Sequence, residues 1–276
     1  MVYISPEFRR RVFLHLYLNA TASPGDSTPL FFLIYGLAGE GKTFQLLHIL
    51  RQFDVDRHDL DATAVEDPSA GRPDREIIRR FEDAAGEVRR TGRPACVVME
   101  DVHLLLGRYA TTQYTMNLQH VISQLDLFAD AMANTPAKSR VPVFMTANDT
   151  TVLDQPLIRY GRTRQFLWAP STEEKAAILA SILPELESDE LDSLRSRYPE
   201  KPVSFFAQLR QEVEYEFFSD ALLTDEPEAR LRRAVAIGPA DRPRINMALE
   251  LLLRAADRLV EEARGGAFVG WPNELQ

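Results

Sequence analysis

Eight consecutive residues, Gly36-Leu37-Ala38-Gly39-Glu40-Gly41-Lys42-Thr43, limit what this chain can fold into more than any other stretch. They fit G-x-x-x-x-G-K-[ST], a loop whose glycines let backbone N–H groups turn inward around a phosphate. The requirement extends outward from the loop. A buried strand must enter it, and a helix must leave it with its positive N-terminal end at the anion. The flanks supply both. Leu30-Phe31-Phe32-Leu33-Ile34-Tyr35 is an unbroken apolar run of strand length, and Phe44-Gln45-Leu46-Leu47-His48-Ile49-Leu50 has helical periodicity. In such a loop Gly36, Gly39 and Gly41 shape the cradle, Lys42 reaches the β and γ phosphates, and Thr43 offers its hydroxyl to Mg²⁺. ATP and Mg²⁺ are therefore the expected cofactors.

Apolar runs recur at Pro94–Asp101, 141–148 and 165–168, with a weaker one near 59–62. Helical periodicity fills the intervals, at Ile77–Val88 and 116–132. Strands alternating with helices predict a parallel sheet with right-handed crossovers. Ser5-Pro6-Glu7 has the chemistry of a helix start: a capping hydroxyl, Pro in the first turn and an acid near the positive pole. After Pro170 only helical signals remain, at about 172–183, 188–197, 204–218, 225–235 and 244–263, the first opened by a Ser171/Glu174 capping pair and the last closed by Gly265-Gly266. The expected organisation is an α/β nucleotide-binding domain over 1–170 and a small all-helical domain over 171–276.

The 276 residues, 45% hydrophobic and 26% charged, are enough for that pair of domains. No apolar run is long enough to span a bilayer. The net charge of −9 argues against nucleic acid or anionic membrane as a general partner. The first residues lack the layout of a secretory signal, and the single cysteine, Cys96, fits a reducing compartment. A cytoplasmic location and a buried structural thiol are expected. Arginine far outnumbers lysine, the usage of a GC-rich bacterial genome.

Three further stretches carry chemistry. Cys96-Val97-Val98-Met99-Glu100-Asp101 is an apolar strand ending in two acids. Beside a phosphate loop, one such acid serves Mg²⁺ and its water ligands and the next polarises the attacking water. Glu100 takes the first role and Asp101 the second. Thr146-Ala147-Asn148-Asp149 ends the next strand, where Asn148 either bonds the attacking water or γ-phosphate or belongs to an Asx turn. Arg159 and Arg162 stand three apart before a strand, as transition-state fingers or as ordinary surface arginines. His103 reads as a packing or hydrogen-bonding residue rather than a base.

Together these motifs resemble the AAA+ ATPases. Gly41–Gln45, Gly107–Asn117, Thr146–Asp149, Pro156–Pro170 and Val203–Arg210 resemble the green-type Rubisco activase family in particular, over about Ser5 to Phe268. The resemblance implies roles residue by residue. Asn148 matches the sensor-1 position, and Arg159 and Arg162 the paired fingers that act on ATP in the neighbouring subunit. Arg210 matches the sensor-2 arginine, and Phe44 follows the loop at the nucleotide. Val65–Pro73 and Arg108–Tyr114 match two central-pore loops, with Tyr114 as a candidate client-gripping aromatic. Fingers acting in trans imply a homo-oligomeric ring, expected to be a hexamer. Its client would be a protein, Rubisco in the activases, from which inhibitory sugar phosphates are released. In this chain Glu100 and His103 stand where that family usually has Asn and Asp. Neither the N-terminal Rubisco-contacting domain of the plant enzymes nor a small-subunit-like C-terminal domain is expected. The alternatives are a remodeller of another bacterial assembly, defensive or regulatory, and an ATP-gated scaffold with slow turnover.

Overall fold

The structure is a computed structural model. It describes residues 2–60, 72–106, 123, 125–128, 130–131, 135, 140–153, 155–159, 161–222, 227–238, 245 and 247–264. The chain divides into two compact units, Ile4–Pro170 and Ser171–Gln276, the latter joined by Met1–Tyr3.

The first unit is built on a parallel five-stranded sheet ordered β2-β3-β4-β1-β5. Its strands are β1 (Phe31–Tyr35), β2 (Asp56–Asp59), β3 (Ala95–Met99), β4 (Val143–Ala147) and β5 (Thr163–Leu167). β1 pairs with β4 from Phe31↔Val143 to Tyr35↔Ala147, and with β5 from Phe31↔Thr163 to Tyr35↔Leu167. β3 pairs with β4 from Val97↔Val143 to Met99↔Met145. The central strands are buried on both faces, as their unbroken apolar runs require. Phe31, Phe32, Leu33 and Ile34 lose all contact with solvent, each worth roughly 1.5–3 kcal/mol of burial. The edge strand β2 is Asp-Arg-His-Asp, with a charged side chain at each end. It lies three residues earlier than the weak apolar signal at 59–62, because an edge strand has no need of an apolar run. β5 likewise begins at Thr163 rather than 165.

Helices α1 (Pro6–Thr21), α2 (Lys42–Gln52) and α3 (Arg72–Thr91) flank the sheet, with two short helices, α4 (Val102–Leu106) and α5 (Gln155–Ile158), after β3 and before β5. Ser5 caps α1 as expected, its Oγ accepting from the Phe8 N–H at 3.3 Å. Phe8, Val12, His15, Leu16 and Asn19 form the buried stripe of that helix. Phe8 meets Phe166 and Trp168 edge-on at 5.3 and 5.1 Å. The Ser5 N–H also donates to Gln45 Oε1 at 2.9 Å, tying α1 to α2. Of the helix expected over 116–132, the residues described from 123 to 131 are helical and the rest lie outside the described residues.

The second unit consists of helices among the described residues: α6 (Thr172–Ile182), α7 (Ser188–Arg197), α8 (Val203–Leu222), α9 (Pro227–Ile237) and α10 (Leu249–Arg264). The Ser171/Glu174 capping box forms in both directions. α10 starts five residues later than its periodicity suggested, and Gly265-Gly266 fall outside the described residues. Leu179, Leu183, Leu194, Phe206, Leu209, Val213 and Leu252 form this unit's own core.

Candidate functional site

Parallel sheets bind ligands at the carboxyl ends of strands, where successive connections leave in opposite directions. Here that point lies between the neighbours β1 and β4. β1 leads toward the β2 edge and β4 toward the β5 edge. The phosphate loop follows β1, Asn148 follows β4, and Glu100 and Asp101 follow β3 one strand further on.

Within the loop, Gly36, Gly39 and Gly41 have φ of 149°, 76° and 82°. These values carry little strain only without a side chain, and they turn the backbone directly into α2. Trp168, after β5, holds the loop from behind: its N–H donates to Tyr35 O and its indole Nε1–H to Glu40 O, both at 2.7 Å. The Lys42 side chain folds back into the loop. Its ammonium donates to Gly36 O and Leu37 O at 2.8 Å and to Asn148 Oδ1 at 2.7 Å. An ammonium has three donors, and all three are filled. Lys42 is only 6% exposed. Burial pulls its pKa below the ordinary lysine range, while the Asp101 and Glu40 carboxylates oppose the shift.

Asp101 has a φ of 48°, a left-handed conformation that aspartate tolerates better than most residues. Two bonds hold it there. Its N–H donates to Thr146 Oγ1 at 3.1 Å, and its carbonyl accepts from the Leu104 N–H at 2.8 Å. The side chain remains half exposed. Glu100 is exposed, and its carboxyl is held above the ordinary range, chiefly by partial desolvation. Asp59 and Asp101 add to that shift, and Arg57 opposes it. Asn148 and Asp149 divide the two roles considered for this strand end. Asp149 Oδ1 closes the Asx turn by accepting from the Thr151 N–H at 2.7 Å, which leaves the Asn148 amide to Lys42.

These residues suit a magnesium nucleotide. The loop presents glycine backbone, a helix start and an ammonium able to change partners. Thr43 is half-buried in the first turn of α2, and Phe44 is exposed beside it with its ring 4.2 Å from that of His48. Among the described residues no group of three or more His, Cys, Asp or Glu side chains could hold a metal by itself. Magnesium carried in with phosphates does not require one, since it keeps waters and takes only one or two protein oxygens. Thr43 and Glu100 are the residues that would serve it.

A family model, the ATPase family associated with various cellular activities (AAA), matches residues 32–171, which cover all of the sheet but Phe31 and all of the candidate site residues but Arg210. The chain belongs to the AAA family of ATPases. Its first unit is thus an ATP-hydrolysing P-loop domain. Similar curated proteins include several activases. Ribulose bisphosphate carboxylase/oxygenase activase 1, chloroplastic, of Nicotiana tabacum is 32% identical over 76% of this chain and 50% of its own length. The chloroplastic activase of Arabidopsis thaliana is 30% identical over 94% of this chain and 57% of its own. The activase of Anabaena sp. is 33% identical over 76% and 54%. The chain spans about half the length of the curated relatives it matches.

The two arginines before β5 differ sharply in this AAA ATPase. Arg159 is exposed on a turn pinned by the Arg162 and Thr163 N–H groups, which both donate to its carbonyl. Arg162 is buried. It donates to Pro156 O at 3.2 Å, forks onto both Asp130 oxygens at 2.9 and 3.0 Å, and lies 2.5 Å from Asp126 Oδ1. In the helical unit, Arg210 donates to Ile182 O and to both Glu185 oxygens at 2.8 Å, and to Glu214 at 3.0 Å. The two pore-loop stretches, Tyr114 among them, lie outside the described residues, apart from Arg72 and Pro73, which open α3.

Sequence reasoning gave no role to Thr146 as the anchor of Asp101 or to Trp168 as the strut behind the loop. Their only signals were position at a strand end and the rarity of tryptophan. The burial of Arg162 had a fainter one: Asp126 and Asp130 are one turn apart on a helix that also carries the buried Leu125.

Proposed function

We propose that this chain is the motor of a homo-oligomeric protein remodeller whose client is Rubisco, acting to release inhibitory sugar phosphates. The observation that carries the reading is the bond from Lys42 to Asn148. It joins the phosphate loop to the end of β4 across the crevice between β1 and β4, in a chain whose reported relatives are all named as activases.

Bound MgATP brings the phosphoanhydride and its counter-cation. Lys42 would then exchange Asn148 Oδ1 and a loop carbonyl for β and γ phosphate oxygens, and Thr43 and Glu100 would serve the metal and its waters. Asp101 orients the attacking water and accepts its proton as the O–P bond forms and the γ-phosphoryl leaves ADP. Asn148, released by Lys42, donates to that water or to the γ-phosphate. Arg159, exposed on its pinned turn, is the residue offered to the ATP of a neighbouring subunit. Arg162 joins it only by leaving Asp126 and Asp130. Such fingers contribute about 10³–10⁵ in rate, so hydrolysis waits on assembly. Arg210 serves as the sensor-2 arginine by giving up Glu185. The ring is taken to be a hexamer, and its pore loops to grip the client.

The test is steady-state ATP hydrolysis of wild type, Lys42→Ala, Asp101→Asn and Arg159→Ala. Each variant should lose at least 100-fold, and mixing Lys42→Ala with Arg159→Ala should restore activity at mixed interfaces. A wild type no faster than its variants defeats the motor reading. Failure of an active wild type to restore carboxylation by sugar-phosphate-inhibited Rubisco leaves the motor and removes the client.

A further inference from the structure

His103 sits between two residues of the hydrolytic site. Its side chain is 9% exposed, and its ring faces Asn148 and Asp101. Asn148 Nδ2 approaches Nε2 at 3.4 Å, the Asn148 backbone N–H points to Nδ1 at 3.4 Å, and Asp101 Oδ1 is 4.0 Å from Nδ1. Lys42 fixes the direction of the first contact. An ammonium only donates, so Asn148 must turn Oδ1 to Lys42 and its NH₂ to His103.

Both Asn148 groups facing the ring are donors, whereas a neutral imidazole has one lone pair and one N–H to offer. The two contacts therefore call for opposite tautomers. With the proton on Nδ1, Nε2 accepts from the Asn148 side chain and Nδ1–H puts its positive end 4.0 Å from the Asp101 carboxylate, an electrostatic contact and not a hydrogen bond. With the proton on Nε2, Nδ1 accepts from the Asn148 backbone and Asp101 has no donor from the ring. The first arrangement forms a run of two donations, Lys42 to Asn148 and Asn148 to His103, that ends with the ring 4.0 Å from the Asp101 carboxylate, within reach of its charge but beyond a hydrogen bond. It lasts while Lys42 holds Asn148 in place.

We propose that His103 is a positioning residue that couples the Asn148 amide to the Asp101 carboxylate by exchanging its two neutral tautomers. This rests on the reading of Asp101 as the water-activating carboxylate. Before nucleotide arrives, the Nδ1–H form attracts the Asp101 carboxylate through its N–H dipole. When Lys42 transfers to phosphate, the Asn148 side chain is released and the Nε2–H form takes the backbone N–H. Asp101 is then free to accept a water. Solvent water takes the Nδ1 proton and returns one to Nε2, so the ring gains and loses no net proton.

The tautomer is read by ¹⁵N NMR of histidine-labelled full-length protein, with the His103 signal assigned by its absence in His103→Gln. The Nδ1–H pattern is expected without nucleotide, and the Nε2–H pattern with Mg²⁺ and a non-hydrolysable ATP analogue. The same tautomer in both states overturns the proposal, whether or not the protein turns over. In kinetics, His103→Leu should lower kcat by 10-fold or more while the KM for ATP stays within twofold. His103→Gln, with one donor and one acceptor, should recover to within about threefold of wild type. Adding Asn148→Ala to His103→Leu should cost little more than Asn148→Ala alone. Fully multiplicative losses, or Gln no better than Leu, refute the coupling. Loss of activity in Asp101→Asn reports on the underlying reading separately.

Discussion

Replacing Gly36 by alanine tests how tightly the phosphate loop is built into the sheet. A Cβ added there would lie 2.2 Å from the Trp168 carbonyl oxygen, whereas real Cβ contacts essentially never fall below 3.0 Å. The loop and the end of β5 would have to separate by about 0.8 Å merely to reach that limit. Trp168 has little freedom to yield, held by its N–H on Tyr35 O, its indole on Glu40 O and its ring against Phe8. Overpacking of this kind costs about 1–3 kcal/mol, and the φ of 149° adds about 1–3 kcal/mol for any side chain. Gly41 is the internal control. Its φ of 82° is equally foreign to alanine, yet nothing lies within 4 Å of its Cβ position. Only the backbone term applies there, about 1–2 kcal/mol. In urea unfolding monitored by circular dichroism, Gly36→Ala should lose about 4 kcal/mol and Gly41→Ala about 1–2 kcal/mol. A difference near 2–3 kcal/mol lowers the melting temperature of Gly36→Ala by a further 5–10 °C or so in a unit of this size. Equal losses at the two positions would show that Trp168 yields freely and that the loop is not wedged against β5.

Three other outcomes are expected. His15 is fully buried against Phe32 and Phe144, and desolvation pushes its pKa from 6.5 down to about 3. Between those values the unfolded chain binds a proton that the folded chain refuses. Stability must then fall as pH drops through that window, by up to roughly 1.4 kcal/mol per unit from this group. His15→Gln should flatten a plot of melting temperature against pH between 6 and 4, and an unchanged slope contradicts the assignment. Arg162→Ala should destabilise the first unit by about 2–4 kcal/mol, because it strands the largely buried Asp126 and empties a buried position, whereas exposed Arg159→Ala should change stability by less than about 0.5 kcal/mol. Similar melting temperatures for the two variants would contradict the division of roles between them. Trp168 fluorescence should change when Mg²⁺ and ATP bind, since its indole is bonded to the loop, and the change should vanish in Trp168→Phe. A change of the same size in that variant would place the signal elsewhere.

The parts of this molecule that could be read from sequence are those whose physics is local. A strand buried on both faces must be an apolar run, so β1, β3 and β4 were legible. A helix start needs its own cap, so Ser5 and Ser171 were too. β2 was displaced because an edge strand obeys solubility rather than burial, and Asp56-Arg57-His58-Asp59 carries no alternation. α4 and α5, of five and four residues, are too short to show a period. The site divides along the same line. The phosphate loop is contiguous and announces itself, but the bond from Lys42 to Asn148 joins residues 106 apart and exists only because β1 lies beside β4. Whether an arginine is exposed like Arg159 or buried like Arg162 depends on which helix passes behind it, which spacing alone does not reveal.

That dependence on strand order explains why the phosphate loop is bonded to the end of β4. Lys42 has carbonyls on two sides and Asn148 on the third, and elsewhere in the same unit Arg162 is closed onto two aspartates. A buried cation cannot wait unpaired, because leaving it so costs several kcal/mol. On the proposed function Lys42 must exchange internal partners for phosphate oxygens, and each exchange releases the partner left behind. For Lys42 the released partner is Asn148, which already contacts His103 and lies at the end of the strand whose Thr146 anchors Asp101. On that proposal phosphate binding is coupled to the arrangement of Asn148, His103 and Asp101 through the same bonds that hold Lys42 against the loop. Weakening that resting network, as Asn148→Ala would, should ease the entry of nucleotide while impairing its hydrolysis.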